Sequence, residues 1–169
     1  MSLIVLLGGA RSGKSLLAQR LAGDEATLIA TARAADDEMA ERIERHRAER
    51  PAAWTTVEEP IDLRRALAEV DPERTAVVDC LSLWTANLVE AGWKDLEVER
   101  EAEATAAAAA ERPGTTIAVS NEVGLGIVPV TPLGRHYRDV HGRVNAAWTQ
   151  AADRAVLVVA GRMLELARA

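Results

Sequence analysis

Short apolar runs alternate with longer amphipathic stretches along this chain. The runs are LIVLL (3–7), TLIA (27–30), TAVVD (75–79), TTIAVS (115–120) and AVLVVA (155–160). Each is continuous and rich in β-branched residues, the pattern of strands covered on both faces. A weaker run, WTTVE (54–58), predicts an edge strand. Between the runs, helical periodicity and boundary residues predict helices over 14–22, 36–49, 60–69, 81–110 and 132–152. The 36–49 helix opens on DDE, acids suited to the positive end of a helix dipole. The 60–69 helix opens on Pro60, a favoured first-turn residue. The 81–110 stretch breaks near Gly92 and then runs through EVEREAEATAAAAAER, whose alanines extend a helix more readily than they form a linker. Such alternation argues for an α/β fold, a mainly parallel central sheet with helices on both faces. No repeat or linker divides the 169 residues, so a single domain is expected over 1–169.

Composition narrows the function classes. The chain is 49% hydrophobic and 27% charged, which reads as globular. A net charge of -6 offers no general basic surface, so nucleic acid is not an expected partner. Any smaller anion must be held locally, by a few placed cations and backbone amides. Lys14 and Lys94 are the only lysines, so position 14 keeps a compact ammonium where arginine is otherwise the rule. With no Phe, the core is expected to come from Ala, Val, Leu and Ile. The single cysteine, Cys80, excludes an intramolecular disulfide. The first apolar run lacks a basic leader and passes straight into a glycine-rich turn, so it reads as a strand and not a signal peptide. No apolar run approaches the ~20 residues that span a bilayer. A cytoplasmic location is expected.

That turn carries the clearest chemistry. GGARSGKS (8–15) fits G-x-x-x-x-G-K-[ST], and it lies between a strand and a helix. The glycines allow close approach and positive φ. The amides of Gly8, Gly9, Ala10, Arg11, Ser12 and Gly13, with the helix N-terminus behind them, suit phosphate oxygens. Lys14 suits the β- and γ-phosphates and Ser15 a Mg²⁺ ion. An NTP-binding P-loop fold follows. Such a site also takes an acid at the end of a neighbouring strand, and Asp79 ends TAVVD. Ligands of open α/β sheets sit beyond the carboxyl ends of the strands. That rule adds Thr31, Ala32 and Arg33, then Glu58 as a partner for the donor edge of guanine, and NEVG (121–124) with Asn121 and Glu122.

Two features have two readings each. RHYRDVHGRVN (135–145) gathers Arg135, Arg138 and Arg143 with Asp139 and Asn145. It is either a salt-bridged surface helix or an arginine cluster for a second phosphate. His46 sits in ERIERHRAERP, and Met39, Ile43 and His46 recur on one helical face. It is therefore turned toward the protein, either as a satisfied core histidine or as a site residue. A neutral imidazole is a competent nucleophile toward phosphorus, and neighbouring arginines favour the neutral form.

Taken together, GGARSGKS, IATARAADDEMAERIERHRAERPAAWTTVEEP (29–60), VVDCLSLWTANL (77–88), SNEVGLGIVP (120–129) and RDVHGRVN (138–145) carry a resemblance over nearly the whole chain. The chain resembles the bifunctional adenosylcobinamide kinase / adenosylcobinamide-phosphate guanylyltransferase family of cobamide synthesis. The resemblance implies two reactions. One moves the γ-phosphoryl of an NTP to the aminopropanol hydroxyl of adenosylcobinamide. The other moves GMP from GTP to the new phosphate, through a GMP–histidine intermediate that falls on His46. It implies ATP, GTP and Mg²⁺, a corrinoid substrate, and a homo-oligomer of the trimeric kind. Arg47 and Arg50, in the same block, join the nucleotide-binding candidates. Ala146, Ala147, Leu16 and the ending AGRMLELARA depart from the family pattern. Competing readings are a transferase without the kinase step, a P-loop kinase of a small molecule, and an NTP-driven switch. The last two leave His46 unexplained. Trp54, Trp84 and Trp93 are open between corrin contact and core.

Overall fold

The computed structural model describes residues 2–33, 41, 44 and 51–168. Its strands are β1 (Ser2–Gly8), β2 (Ala26–Ala30), β3 (Thr55–Glu58), β4 (Thr75–Asp79), β5 (Thr115–Asn121), β6 (Arg154–Val159) and β7 (Arg162–Leu166). Its helices, among the described residues, are α1 (Lys14–Ala22), α2 (Leu63–Glu69), α3 (Leu81–Glu90), α4 (Asp95–Glu111) and α5 (Pro132–Ala151). The strands form one sheet in the order β3-β2-β4-β5-β1-β6-β7, parallel except for β7. The α/β expectation holds, with WTTVE at one edge.

The continuous apolar runs are explained by two cores. Leu3, Val5 and Leu7 of β1 point into a cluster with α2, α3, α4 and α5. Ile4 and Leu6, the alternate residues, point into a second cluster with Ala18 and Ala22 of α1. A strand buried on both sides has no polar positions to alternate with. Trp84 and Trp148 fill the volume that Phe would otherwise supply, both fully buried in the larger core.

The 81–110 stretch breaks around Gly92, as expected, and Gly92 takes positive φ there. Two features differ from expectation for local reasons. The helix expected at Pro60 begins at Leu63, because Asp62 accepts from the Arg65 amide and caps it there. The terminal strand β7 was not anticipated. It follows a two-residue turn, Ala160–Gly161, with φ 49° and 75°. Two positive φ values make a hairpin turn that matches the twist of the strands. The helix expected over 36–49 lies almost wholly outside the described residues; Glu41 and Glu44 within it are helical and exposed.

Candidate active site

The ends of β1 to β5 gather the candidate residues along one edge of the sheet. Gly8 is level with Asn121, Asp79 with Val119 and Ala30, and Ala30 with Glu58. Because β5 lies between β1 and β4, the P-loop and Asp79 stand two strand spacings apart, roughly 10 Å. The end of β5 fills the gap.

The P-loop is shaped by its backbone. Gly8 has φ 153°, and a Cβ there would stand 2.3 Å from the Val158 carbonyl oxygen. Arg11 and Gly13 also take positive φ, 56° and 104°. Gly13 precedes α1 without a side-chain cap, so the first amides of α1 remain directed at the loop. Lys14 is buried, and its Nζ donates to the carbonyls of Gly8 and Gly9, both at 2.7 Å. Burial lowers the Lys14 pKa below the ordinary lysine value, while Cys80 and Asp79 act in the opposite direction. Ser12 is buried beside it; Gly9, Ala10 and Arg11 are exposed.

Asp79 and Ser15 line one small cleft together with Gln19 and Trp54. Two hard oxygen donors facing one space beside a P-loop are the donor set that Mg²⁺ takes in company with phosphates. Among the described residues no group of three His, Cys, Asp or Glu side chains could hold a metal by itself. The turn after Asp79 is clamped by Thr31, which is fully buried. Its Oγ1 accepts from the Cys80 amide at 2.9 Å and donates to the Cys80 carbonyl at 2.8 Å. Asn87 donates in turn to the Thr31 carbonyl, 2.8 Å, and to the Pro60 carbonyl, 3.0 Å.

The remaining candidates divide. Ala32, Arg33 and Glu58 lie at the same edge, Arg33 and Glu58 exposed. Asn121 and Glu122 continue β5, and the Glu122 amide donates to Gly8 O at 3.1 Å. Arg138 donates to the Gly124 carbonyl, and Arg135 to those of Pro129 and Val130. These two arginines brace the segment after β5. Arg143 instead pairs with Asp95 of α4 at 2.7 Å, the surface-bridge arrangement. Trp84 donates to Ile61 O inside the core, Trp93 packs on that core, and Trp54 lies at the cleft. His46, Arg47 and Arg50 lie outside the described residues.

Two contributors had no sequence signal. Gly161 donates its amide to Ser12 O at 2.8 Å, so the β6–β7 turn backs the P-loop. Glu59, next to Glu58, organises the turn after β3. It is buried and accepts from the Ile61 and Asp62 amides and from Arg65. Burial alone would raise its pKa. The amides and the Arg65 guanidinium outweigh burial and hold it below the ordinary carboxylate value.

Comparison with known proteins decides the family. Residues 4–166 match the family described as cobinamide kinase / cobinamide phosphate guanyltransferase. The chain belongs to that family. The bifunctional adenosylcobalamin biosynthesis protein CobP of Pseudomonas aeruginosa is 45% identical over 166 residues, covering 96% of this chain and 95% of that one. The bifunctional adenosylcobalamin biosynthesis protein CobU of Escherichia coli K12 is 40% identical over 174 residues, covering 94% and 96%. The kinase and guanyltransferase of the family's description are the two activities that the sequence resemblance implied. Membership makes this chain a transferase enzyme of cobalamin biosynthesis, with nucleotide and cobinamide substrates. Among solved structures, the flagellar accessory protein FlaH of Methanocaldococcus jannaschii is similar with a TM-score of 0.52 at 16% identity, over 99% of this chain and 76% of that one. A Pyrococcus horikoshii OT3 protein is similar with a TM-score of 0.57 at 7% identity, over 97% and 85%. These two likenesses concern the fold. No helix among the described residues is long and apolar enough to cross a membrane.

Proposed function

We propose that one domain, residues 1–169, performs both transfers at the carboxyl edge of its sheet. The observation that carries the reading is the common cleft of Ser15 and Asp79 beside a backbone-built P-loop, in a chain of this family. In the kinase step, the hydroxyl oxygen of the aminopropanol arm attacks the γ-phosphorus of ATP or GTP, and the nucleoside diphosphate leaves. In the second step, a ring nitrogen of His46 attacks the α-phosphorus of GTP, and the bond to pyrophosphate breaks. An oxygen of the cobinamide phosphate then attacks the same phosphorus and displaces His46, giving adenosylcobinamide-GDP. Two in-line displacements leave net retention at that phosphorus.

The amides of Gly8 to Gly13 and the Lys14 ammonium hold the triphosphate, supplying charge stabilisation without reorganisation. Ser15 and Asp79 would hold Mg²⁺, which when bound supplies neutralisation of phosphate charge. Ala32 and Arg33 border the nucleotide with Thr31 buried behind them, Glu58 accepts from guanine, and Arg47 and Arg50 keep His46 neutral and contact phosphate. Asn121, Glu122, Arg135 and Arg138 are assigned to the acceptor or to pyrophosphate, and Arg143, paired with Asp95, is left to the surface bridge. The protein works in the cytoplasm as a homo-oligomer, of the trimeric kind that the resemblance implies.

The test is to incubate the protein with Mg²⁺ and GTP labelled at the α-phosphate, denature it, and look for protein-bound label. The expected label is acid-labile, alkali-stable, absent with γ-labelled GTP and absent from His46→Ala. A folded, GTP-binding protein that takes up no label would remove His46 as nucleophile and leave a kinase or a switch.

A further inference from the structure

A buried polar seam underlies this edge, and neither transfer uses its histidine directly. At its centre is His141, fully buried in α5. Its ring stacks on Tyr137 with centroids 5.5 Å apart and planes 5° from parallel. Nε2 lies 3.0 Å from the Asn121 carbonyl oxygen and 3.2 Å from Ser120 Oγ. Nδ1 lies 2.9 Å from Thr85 Oγ1. Asn145 joins the same carbonyl, donating at 3.2 Å, and accepts from Ser120 Oγ at 2.6 Å.

The seam reaches the site from both sides. The Asn121 carboxamide donates to Ser82 Oγ at 2.8 Å, and the Tyr137 hydroxyl donates to Ser82 O at 2.9 Å. Ser82 lies in the first turn of α3, just beyond Asp79 and Cys80. On the other side, Asn121 is level with Gly8, and Glu122 donates to it.

Hydrogen-bond counting fixes the proton. The Asn121 carbonyl only accepts, so Nε2 must donate. Ser120 gives its one proton to Asn145, so it does not compete. In the neutral ring Nδ1 is the acceptor, and Thr85 divides its hydroxyl proton between Nδ1 and the Leu81 carbonyl at 2.8 Å. Burial lowers the His141 pKa, although the bond to Asn121 and the charge of Glu122 act the other way, which agrees with a neutral ring.

We infer that His141 is a positioning residue. Its Nε2–H, with Asn145, fixes the end of β5, and thereby holds the turn after Asp79 and the Gly8 end of the P-loop at their working separation. A buried histidine that merely filled space would need neither this tautomer nor any donor. The use of transfer rates as a readout rests on the functional reading above; the tautomer and the nucleotide affinity do not.

The experiment compares His141→Gln with His141→Leu, similar in bulk, of which only Gln can donate near the Nε2 position. Thermal unfolding of each is recorded so that rates refer to folded protein. His141→Leu should lower kcat of both transfers about tenfold and weaken GTP binding about fivefold, since small misplacements at a reacting centre are costly. The KM for cobinamide should stay within about threefold, and His141→Gln should recover most of the kcat. Equal losses in the two variants, or wild-type kcat in His141→Leu, would overturn the inference. Should either variant fail to fold, long-range ¹⁵N–¹H NMR of the wild-type ring decides: Nε2–H supports the inference, and Nδ1–H or a doubly protonated ring at neutral pH defeats it. A wild-type chain without transfer activity would defeat the functional reading alone, and GTP affinity in the two variants would then carry the comparison.

Discussion

The P-loop and the turn after Asp79 face one cleft, but the first is built from backbone and the second is held by side chains. In the P-loop, Lys14 gathers the Gly8 and Gly9 carbonyls, and Gly161 holds Ser12 from behind through its amide. Beyond Asp79, Thr31 grips both polar groups of Cys80, and Asn87 and Asn121 secure the parts on either side. The difference follows from what each part must present. A phosphate is bound by a concave row of amides, so the loop is tied back mainly through its carbonyls, with the Ser12 amide, which donates to the Gly9 carbonyl, as an exception. A metal-side carboxylate must keep one direction, so its neighbours are pinned by fixed side-chain bonds.

The comparison can be broken most sharply at the two adjacent glycines. Gly8→Ala places a methyl group against the Val158 carbonyl oxygen, whereas Gly9 has open space at the same atom. We expect Gly8→Ala to cost about 3 kcal/mol in denaturant unfolding and to abolish tight nucleotide binding. Gly9→Ala should leave unfolding within about 0.5 kcal/mol of wild type. Equal effects would mean that the backbone path of the loop is not what selects glycine.

The side-chain half is probed by Thr31→Val, which keeps the volume and removes both bonds to Cys80. The expected loss is about 1–2 kcal/mol, since the buried Cys80 amide loses its partner while the Cys80 carbonyl keeps the Trp84 amide. Nucleotide transfer should fall more than nucleotide binding, because the clamp directs Asp79 and not the P-loop. A variant with lost binding and normal turnover would reverse that assignment.

The smallest effect concerns Glu59 and depends on pH. Its folded pKa lies below the unfolded value, so its carboxylate adds stability that is fully present above the ordinary carboxylate range. That stability is lost as pH falls through the depressed folded value. Glu59→Gln should therefore narrow the gap in unfolding free energy between neutral and acid solution. If the two proteins show parallel acid profiles, the bonds from Ile61, Asp62 and Arg65 contribute nothing through charge.

How much was legible can be read from particular residues. The central strands were, because burial on both faces leaves an uninterrupted apolar run. The P-loop was, because phosphate geometry demands glycine, lysine and serine at fixed spacing. Asp79 was legible only by rule of place, as the residue that ends a buried strand near a P-loop. The inward turn of Glu59 was not legible, since it depends on the path of the chain after β3. β7 was missed because all five of its residues are exposed, so no buried face imprinted a pattern on it. The arginines of 135–143 kept two readings in the sequence; in the structure Arg143 bridges to α4 while Arg135 and Arg138 hold loop carbonyls.

By itself the sequence determined the central strands and most of the described helices, the phosphate loop and, through its motif blocks, the family, because each rests on local spacing or on local backbone geometry. Tertiary structure decided what meets at the cleft. Thr31, Ser82, Asn87, Asn121, His141 and Gly161 come from separate parts of the chain, and no local preference marks any of them for its partner. Their bonds exist only once the sheet order places β5 between β1 and β4 and lays α5 beneath its end.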